Sequence, residues 1–219
     1  MAIDIVPFIF TAFLAGLGAT LPPGPIFAVT VAEATRRGFV GGFMVVVGHA
    51  LVEVLAVVVL TLGLGVFLTS NPVRIGISVL GGFFLVWMGQ DLARRASRKA
   101  TFIREEASTE DGVGYRPLLR GVLAAAANPY FAVWWTVVGG AFILRGVKLL
   151  GLLGPIVFLV CHWASDFPWF SFVSLSVGRG RSYLGDRAFR WIIGVCGVFL
   201  LALGASFVVE GVRLFVERA

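Results

Sequence analysis

Apolar residues run along this chain in six long stretches, which shorter polar stretches separate. A membrane-spanning helix needs about 20 consecutive apolar residues. The stretches cover residues 5–33, 39–68, 73–92, 118–144, 149–177 and 189–213. The pattern predicts an all-α membrane protein with six transmembrane helices.

Proline interrupts the first and the fourth of these stretches. Pro22, Pro23 and Pro25 lie in the first, and Asn128 and Pro129 lie in the fourth. Proline fits the first position of a helix, where its missing N–H costs no hydrogen bond. We therefore expect one helix to begin at Pro25 and another at Pro129, each part-way through the membrane.

The first backbone N–H groups of such a helix have no partner within it and lie at the positive end of its dipole. They favour an anion such as a carboxylate, although an ordinary proline kink would produce the same pattern. Paired interruptions are the best sequence indication of a transporter's binding site. The predicted solute-binding residues are Gly24, Pro25, Ile26, Phe27, Asn128, Pro129, Tyr130, Phe131 and Trp134. We expect free N–H groups at Ile26, Phe27, Tyr130 and Phe131.

A polar stretch divides the chain into two parts. We expect a three-helix unit at 1–93, a loop at 94–117 and a second three-helix unit at 118–219. With six spans, 13 of the 18 basic residues fall on the side of this loop and 5 on the other. Because basic residues are enriched in cytoplasmic loops, the sequence predicts a multi-pass protein of the cell membrane with a cytoplasmic loop and both termini outside.

Composition supports the membrane class and narrows the partners. Hydrophobic residues make up 58% of the chain and charged residues 14%, a balance too apolar for a water-soluble domain. The net charge of +6 comes from basic residues at the ends of apolar stretches, which indicates membrane orientation and not nucleic-acid binding. The sequence predicts membrane lipid as surroundings and no cofactor. Faces rich in small residues are compatible with a homodimer.

The two halves carry similar motifs in the same order. The motifs are PIFAV from Pro25, HALVE from His49 and GFFLVWMG from Gly82 in the first half, and PYFAV from Pro129, HWASD from His162 and GVFLLALG from Gly197 in the second. With three spans in each half, the second half enters the membrane from the opposite side. The pattern predicts an inverted-topology repeat of the kind that many secondary transporters use.

The two histidines of the chain each precede a carboxylate by four residues. His49 pairs with Glu53 and His162 with Asp166, and each pair shares one helix face. An ionisable side chain near the middle of a bilayer costs ~2.5 to 3.5 kcal/mol, and a carboxyl group shielded from water can exchange a proton near neutral pH. We interpret all four as ion-coupling residues; a static polar cluster between helices is the alternative.

These motifs resemble the LysE/RhtB type of amino-acid exporter, in a branch of uncharacterised LysE-like translocators. The resemblance rests on the ordered set PGP, GHxxxE, NPYFxxWW and HWxxD, and it covers nearly all of the chain except the polar loop. It implies a six-span exporter of small metabolites, often amino acids, built from two inverted three-helix units and driven by an ion gradient.

The chain departs from well-studied members of that family, which often read PGPN and NPK. Ile26 follows the PGP motif here and Tyr130 follows the second proline, so polar contacts expected at those positions are missing. Trp134 and Trp135, with Tyr130, either line an aromatic cavity or contact the lipid interface. Trp134 lies only five residues past a mid-membrane break, which favours the cavity.

We interpret the protein as a secondary transporter that exports a small solute, an amino acid or derivative, by alternating access. Export is coupled to antiport of an ion, a proton in preference to sodium. A divalent-metal exporter is the alternative, with His49, Glu53, His162 and Asp166 as ligands. An intramembrane enzyme would use Glu53 or Asp166 as general base, but no HExxH motif and no nucleophile with a matching base is evident. We predict that the protein is not an enzyme.

Overall fold

The computed structural model describes residues 2–63, 71–97, 114–180 and 186–217, and all regular structure in these residues is helical. The helices are α1 Ala2–Thr20, α2 Pro25–Thr61, α3 Asn71–Ser97, α4 Arg116–Ala126, α5 Pro129–Trp134, a π-helix Trp135–Gly139, α6 Gly140–Leu150, α7 Leu153–Gly180 and α8 Asp186–Val216. The predicted all-α fold is confirmed. Positions 98–113 of the predicted polar loop lie outside the described residues, and α3 continues to Ser97.

Five helical regions are long and apolar enough to cross a membrane. They are Pro25–Thr61, Ile75–Arg94, Pro129–Leu150, Leu153–Gly180 and Arg190–Val216, and Ile5–Thr20 is a shorter apolar helix. Large apolar side chains such as Leu55, Leu80 and Leu144 are exposed, an arrangement that suits lipid and not water. The chain is a multi-pass membrane protein, as its composition predicted.

Both predicted helix starts are present. Residues 21–24 are non-helical, and Pro25 is the first residue of α2. Ala127 and Asn128 separate α4 from α5, which begins at Pro129. Helix α5 continues through the π-helix into α6. The π-helix is a further irregularity in the backbone, only a few residues after the break at Asn128.

A sharp bend inside α2 separates the first predicted apolar stretch, 5–33, from the second, 39–68. Gly38 has φ 67° and ψ −159°, a conformation that residues with a side chain rarely adopt. A Cβ atom on Gly41 would lie 2.7 Å from the Glu33 carbonyl oxygen, whereas eight residues of straight helix span about 12 Å. Helix α2 therefore has two limbs, at 25–37 and 39–61, which fold back on each other at Gly38.

Helices α3 and α8 pack together through glycines. A Cβ atom on Gly82 would lie 2.7 Å from the Gly204 oxygen, and one on Gly204 would lie 2.6 Å from the Gly82 oxygen. Gly89 and Gly197 approach each other in the same reciprocal way, at 2.7 and 2.9 Å. These glycines begin and end the two similar motifs of α3 and α8. The corresponding segments of the two halves therefore pack antiparallel.

Helix α2 packs against α4 and α7 and contributes to two buried clusters. Val45 of its second limb belongs to a cluster that includes Phe170 of α7 and Leu200 of α8. Val57 of the same limb belongs to a cluster with Phe158 of α7. The stretch of α2 that holds His49 and Glu53 therefore lies between two apolar cores.

The second limb of α2 meets α4 with backbone against backbone. A Cβ atom on Gly121 would overlap the Val45 carbonyl oxygen, and one on Gly48 would overlap the Leu118 carbonyl oxygen. Glycines permit this close approach of two membrane helices. The contact joins the two predicted units directly.

Gly121→Ala should destabilise the protein by about 1–3 kcal/mol, because the added methyl group forces α4 away from α2. Gly18→Ala is the matched control, since a Cβ atom on Gly18 meets nothing within 4 Å. Alanine is favoured over glycine in a helix by ~1 kcal/mol, so the control should be neutral or slightly stabilised. Unfolding in detergent measures both, and equal stability of the two variants would contradict this packing.

An ion-pair cluster lies next to the bend of α2. Glu33, which is 1% exposed, pairs with Arg120 of α4. Glu33 also lies 3.3 Å from the Arg37 Nε atom and 3.6 Å from an Arg36 Nη atom. Arg36 and Arg37 follow Glu33 by three and four residues, the spacing of neighbours on one helix face. The cluster is a second link between α2 and α4.

Candidate functional site

A cavity of about 200 Å³ lies where both helix breaks meet α2 and α7. A cavity of this size has room for several water molecules or for a small metabolite. Every predicted site residue except Pro129 lines it: Gly24, Pro25, Ile26, Phe27, His49, Glu53, Asn128, Tyr130, Phe131, Trp134, His162 and Asp166. The fold therefore brings together residues from four separate stretches of the chain.

The two histidines and their carboxylates meet at this cavity, and all four residues are buried. His162 Nε2 lies 2.9 Å from Glu53 Oε1 and 3.7 Å from Asp166 Oδ2. His49 Nε2 lies 3.2 Å from Glu53 Oε1 and 3.4 Å from Asp166 Oδ2. Each imidazole contacts the carboxylate of its own helix and that of the other helix. We call these four residues the imidazole–carboxylate centre; its role in ion coupling stays a prediction.

Two further side chains hold the carboxylates, and the sequence analysis missed both. The Trp163 indole N–H donates a hydrogen bond to Glu53 Oε2 at 2.8 Å. The Thr20 hydroxyl donates one to Asp166 Oδ1. A tryptophan in an apolar helix usually needs an acceptor for its N–H, so a signal existed for Trp163. Nothing in the sequence around Thr20 indicates its distant partner.

The imidazoles each have one nitrogen without a partner. The Nδ1 atoms of His49 and His162 are buried and form no hydrogen bond with any residue that the structure describes. Their Nε2 atoms face the carboxylates, and an N–H at Nε2 leaves a lone pair on Nδ1. Each imidazole therefore has a position, at Nδ1, where it can take up a proton.

The start of α5 differs from its prediction. The Asn128 side chain accepts a hydrogen bond from Tyr130 N–H at 3.0 Å, and the Asn128 carbonyl accepts one from Phe131 N–H at 3.1 Å. The expectation of free N–H groups at Tyr130 and Phe131 is wrong, because asparagine is a strong N-cap. Both residues line the cavity, but their amides do not face it as free donors.

The start of α2 has no such cap. Gly24 precedes Pro25 and offers no side-chain acceptor. The hydrogen-bond ladder begins with Ala28 N–H donating to the Gly24 carbonyl at 3.0 Å. The N–H groups of Ile26 and Phe27 come before this bond. Of the two starts, that of α2 is the one with donors for an anion.

Aromatic rings surround the cavity near His162. The ring centroids of Trp134, Trp135 and Phe158 lie 5.0, 5.2 and 6.2 Å from that of the imidazole. Trp134, Trp135 and Tyr130 all line the cavity, in agreement with the cavity interpretation of these residues. Aromatic faces beside carboxylates attract an ammonium group.

The same atoms suit a divalent metal ion. One ligand atom each of His49, Glu53 and Asp166 lies within 4.8 Å of the others. Imidazole nitrogen and carboxylate oxygen are ligands of first-row divalent ions. The centre therefore has the chemistry to bind either protons or a metal ion.

Proteins named as amino-acid or threonine efflux proteins resemble the chain over nearly its whole length. It is 22% identical over 207 residues to the "Putative amino acid efflux protein YcgF" of Bacillus subtilis (strain 168), a match that covers 94% of this chain and 97% of that protein. It is 24% identical over 203 residues to a threonine efflux protein of Salmonella typhi, with 92% and 97% covered. The threonine efflux protein of Escherichia coli (strain K12) is 23% identical over 202 residues, with 91% and 97% covered.

No solved structure matches the chain significantly. Residues 17–211 match the family described as LysE type translocator. The matched range contains every residue of the imidazole–carboxylate centre and both helix starts. The chain therefore belongs to the LysE type translocator family, which its motifs had indicated.

Proposed function

We propose that this protein exports an amino acid or a close derivative by proton antiport with alternating access. Membership of a translocator family, and relatives named as threonine efflux proteins, support amino-acid export. One observation carries the proposal: an uncapped helix start, aromatic rings and the imidazole–carboxylate centre line the same cavity. Such a cavity has groups for both ends of a zwitterion and for a proton.

The carboxylate of the solute binds at the start of α2, where the N–H groups of Ile26 and Phe27 and the helix dipole favour an anion. Its ammonium group binds beside Glu53 and Asp166, and Trp134 adds the attraction of an aromatic face for a cation. The start of α5, which Asn128 caps, forms part of the cavity wall and does not bind the carboxylate. The two helix starts thus have different roles, in contrast to the equivalent roles that the sequence suggests.

A proton entering from outside displaces the solute. Protonation of Glu53 or Asp166 removes the negative charge that attracts the ammonium group, so proton and solute compete for the same oxygens. His49 and His162 contact both carboxylates and can pass the proton between them. Competition for one site gives antiport when the site faces each side of the membrane in turn and reorients only while a proton or the solute occupies it.

Two inverted three-helix units, at 1–93 and 118–219, provide the moving parts of this mechanism. The contact of His49 with Asp166 has its counterpart in the contact of His162 with Glu53. The glycine contacts of α3 and α8 are also reciprocal, since Gly82 approaches Gly204 and Gly89 approaches Gly197. A two-fold relation between the units would exchange the members of each pair, and rocking of one unit on the other would open the cavity alternately.

We place the 94–117 loop in the cytoplasm and both termini outside, because 13 of the 18 basic residues lie on the loop side and basic residues are enriched in cytoplasmic loops. The cluster around Glu33 then lies toward the cytoplasmic side of the cavity. It links α2 to α4 at the side from which the solute enters.

Counterflow in proteoliposomes tests the proposal. Vesicles loaded with an unlabelled amino acid should take up the same labelled amino acid, with threonine tried first because of the named relatives. The amide of the transported amino acid, which lacks the carboxylate, and the hydroxy acid, which lacks the ammonium group, should both fail to exchange. Exchange of no amino acid, or equal exchange of these analogues, would overturn the proposed site.

Metal export is the second candidate, favoured by the close approach of ligand atoms from His49, Glu53 and Asp166. Equilibrium dialysis of purified protein with manganese, nickel, cobalt or zinc distinguishes it from amino-acid export. Tight binding that Glu53→Gln and Asp166→Asn both abolish would support a metal cargo. Proton release on binding of an amino acid, without metal, would support the antiporter.

A further inference from the structure

A groove of about 800 Å³ opens between the end of α3 and the start of α8. It shares no lining residue with the transport cavity. The apolar span of α3 ends at Arg94, and that of α8 begins at Arg190. The groove therefore lies where the hydrocarbon of a bilayer meets the lipid headgroups.

Small residues line part of this groove. Ala93 and Ala96 of α3 and Gly194 of α8 line it, and a Cβ atom on Gly194 would lie 3.4 Å from that of Ala96. The two helices approach each other closely here. Larger side chains, among them Trp191 and Phe199, also line this groove, which we call the trough.

Two arginines stand at the headgroup end of the trough. Arg187 and Arg190 both line it, and their spacing of three residues places them on one helix face. Among the described side chains, no carboxylate forms an ion pair with either. The planar guanidinium group suits the oxygens of a phosphate. The pair therefore offers two cations to a phosphate at the membrane surface.

An apolar strip continues from the arginines toward the middle of the membrane. Trp191, Val195 and Val198 are 71%, 59% and 62% exposed, and they recur at the spacing of one helix face. The indole of tryptophan is favoured at the level of lipid headgroups. The two valines extend the strip to the depth of an acyl chain.

We infer that this groove binds an anionic phospholipid, with its phosphate at Arg187 and Arg190 and an acyl chain along Val195 and Val198. Basic pockets between membrane helices bind such headgroups. Charge favours a lipid over a second copy of this chain. A two-fold dimer would bring the same patch from both subunits together, and arginine would then face arginine. The inference does not depend on which solute the protein transports.

Native mass spectrometry of the purified protein tests the site. Phosphatidylglycerol and phosphatidylcholine with the same acyl chains are added separately, and the lipid-bound fraction is titrated. The wild type should bind phosphatidylglycerol about tenfold or more tightly than phosphatidylcholine. The Arg187→Gln/Arg190→Gln double variant should lose this preference, and each single variant should lose part of it.

The Arg145→Gln/Lys148→Gln variant is the matched control, because it removes two exposed cations from α6 and should keep the preference. Size-exclusion chromatography and counterflow check that each variant is folded. An unchanged preference in the double variant would overturn the inference. Equal binding of the two lipids, or full displacement of phosphatidylglycerol by inorganic phosphate, would also overturn it. The inference would also be overturned if the wild type formed a dimer that excludes the lipid and if the double variant did not form this dimer.

Discussion

Glu53→Gln should reduce proton-driven export in proteoliposomes by about 100-fold or more. Glutamine keeps the size of the side chain but carries no charge and accepts no proton at neutral pH. Glu53 is hydrogen-bonded to His162 at 2.9 Å and to Trp163 at 2.8 Å. In the proposed mechanism, loss of its charge removes both a partner of the solute's ammonium group and a proton acceptor. Removing one partner of a buried, hydrogen-bonded charge pair weakens binding by ~2–5 kcal/mol, a factor of roughly 30 to 4,000.

Glu217→Gln makes the same chemical change at an exposed position. Glu217 lies just beyond α8 and pairs with Arg213 at 2.7 Å, with both side chains largely exposed. Export by this variant should stay within about twofold of the wild type, since exposed pairs contribute ~1 kcal/mol or less. Initial rates of export, normalised to the amount of folded protein in the vesicles, provide the comparison. A Glu53→Gln variant that exports as fast as Glu217→Gln would refute the assigned role of Glu53.

Glu33→Gln should destabilise the protein by about 3 kcal/mol. Its carboxylate lies among Arg36, Arg37 and Arg120. Without it, these cations remain close together at the junction of α2 and α4. The midpoint of thermal unfolding in detergent measures the loss.

Arg120→Gln combined with Glu33→Gln should recover part of this stability, because the double variant removes one of the crowded cations. A coupling energy of about 1 kcal/mol or more is expected from the double-mutant cycle. Glu217→Gln again provides the control at an exposed pair. Additive effects of the two substitutions would contradict the direct pairing of Glu33 with Arg120.

Much of the fold follows from local features of the sequence. The length of the apolar stretches predicts membrane helices, and the prolines predict where α2 and α5 begin. The gap between the stretches 5–33 and 39–68 predicts a turn there, but it does not indicate that Gly38 forms this turn inside α2, because glycine is common throughout this chain. Its positive φ depends on the packing of the two limbs that it joins.

The imidazole–carboxylate centre could be predicted because its members are scarce and regularly spaced. The i, i+4 spacing places His49 with Glu53 and His162 with Asp166 whatever the remaining fold. The bond from Thr20 to Asp166 spans 146 residues and depends on which face of α1 meets α7. A local pattern carries no information about such a contact.

Helix capping and the ion-pair cluster around Glu33 also combine features that the local sequence predicts with contacts that depend on the fold. The residue before each proline already distinguishes the two helix starts. Gly24 has no side chain to cap the start of α2, whereas Asn128 can cap the start of α5. The repeat alone makes the two starts look equivalent, and only the capping residue separates their roles. The spacing of Glu33, Arg36 and Arg37 places them on one helix face. The contact of Glu33 with Arg120 cannot be predicted in this way, because it depends on the packing of α2 against α4.

Proton movement during export tests most directly whether the imidazole–carboxylate centre couples the two fluxes. Proteoliposomes that enclose a pH-sensitive dye are supplied with the transported amino acid in a sodium-free buffer, with the membrane potential clamped. We predict proton movement opposite to that of the amino acid in the wild type and none in Glu53→Gln. Amino-acid flux without proton movement in the wild type, or unchanged proton movement in Glu53→Gln, would contradict this account.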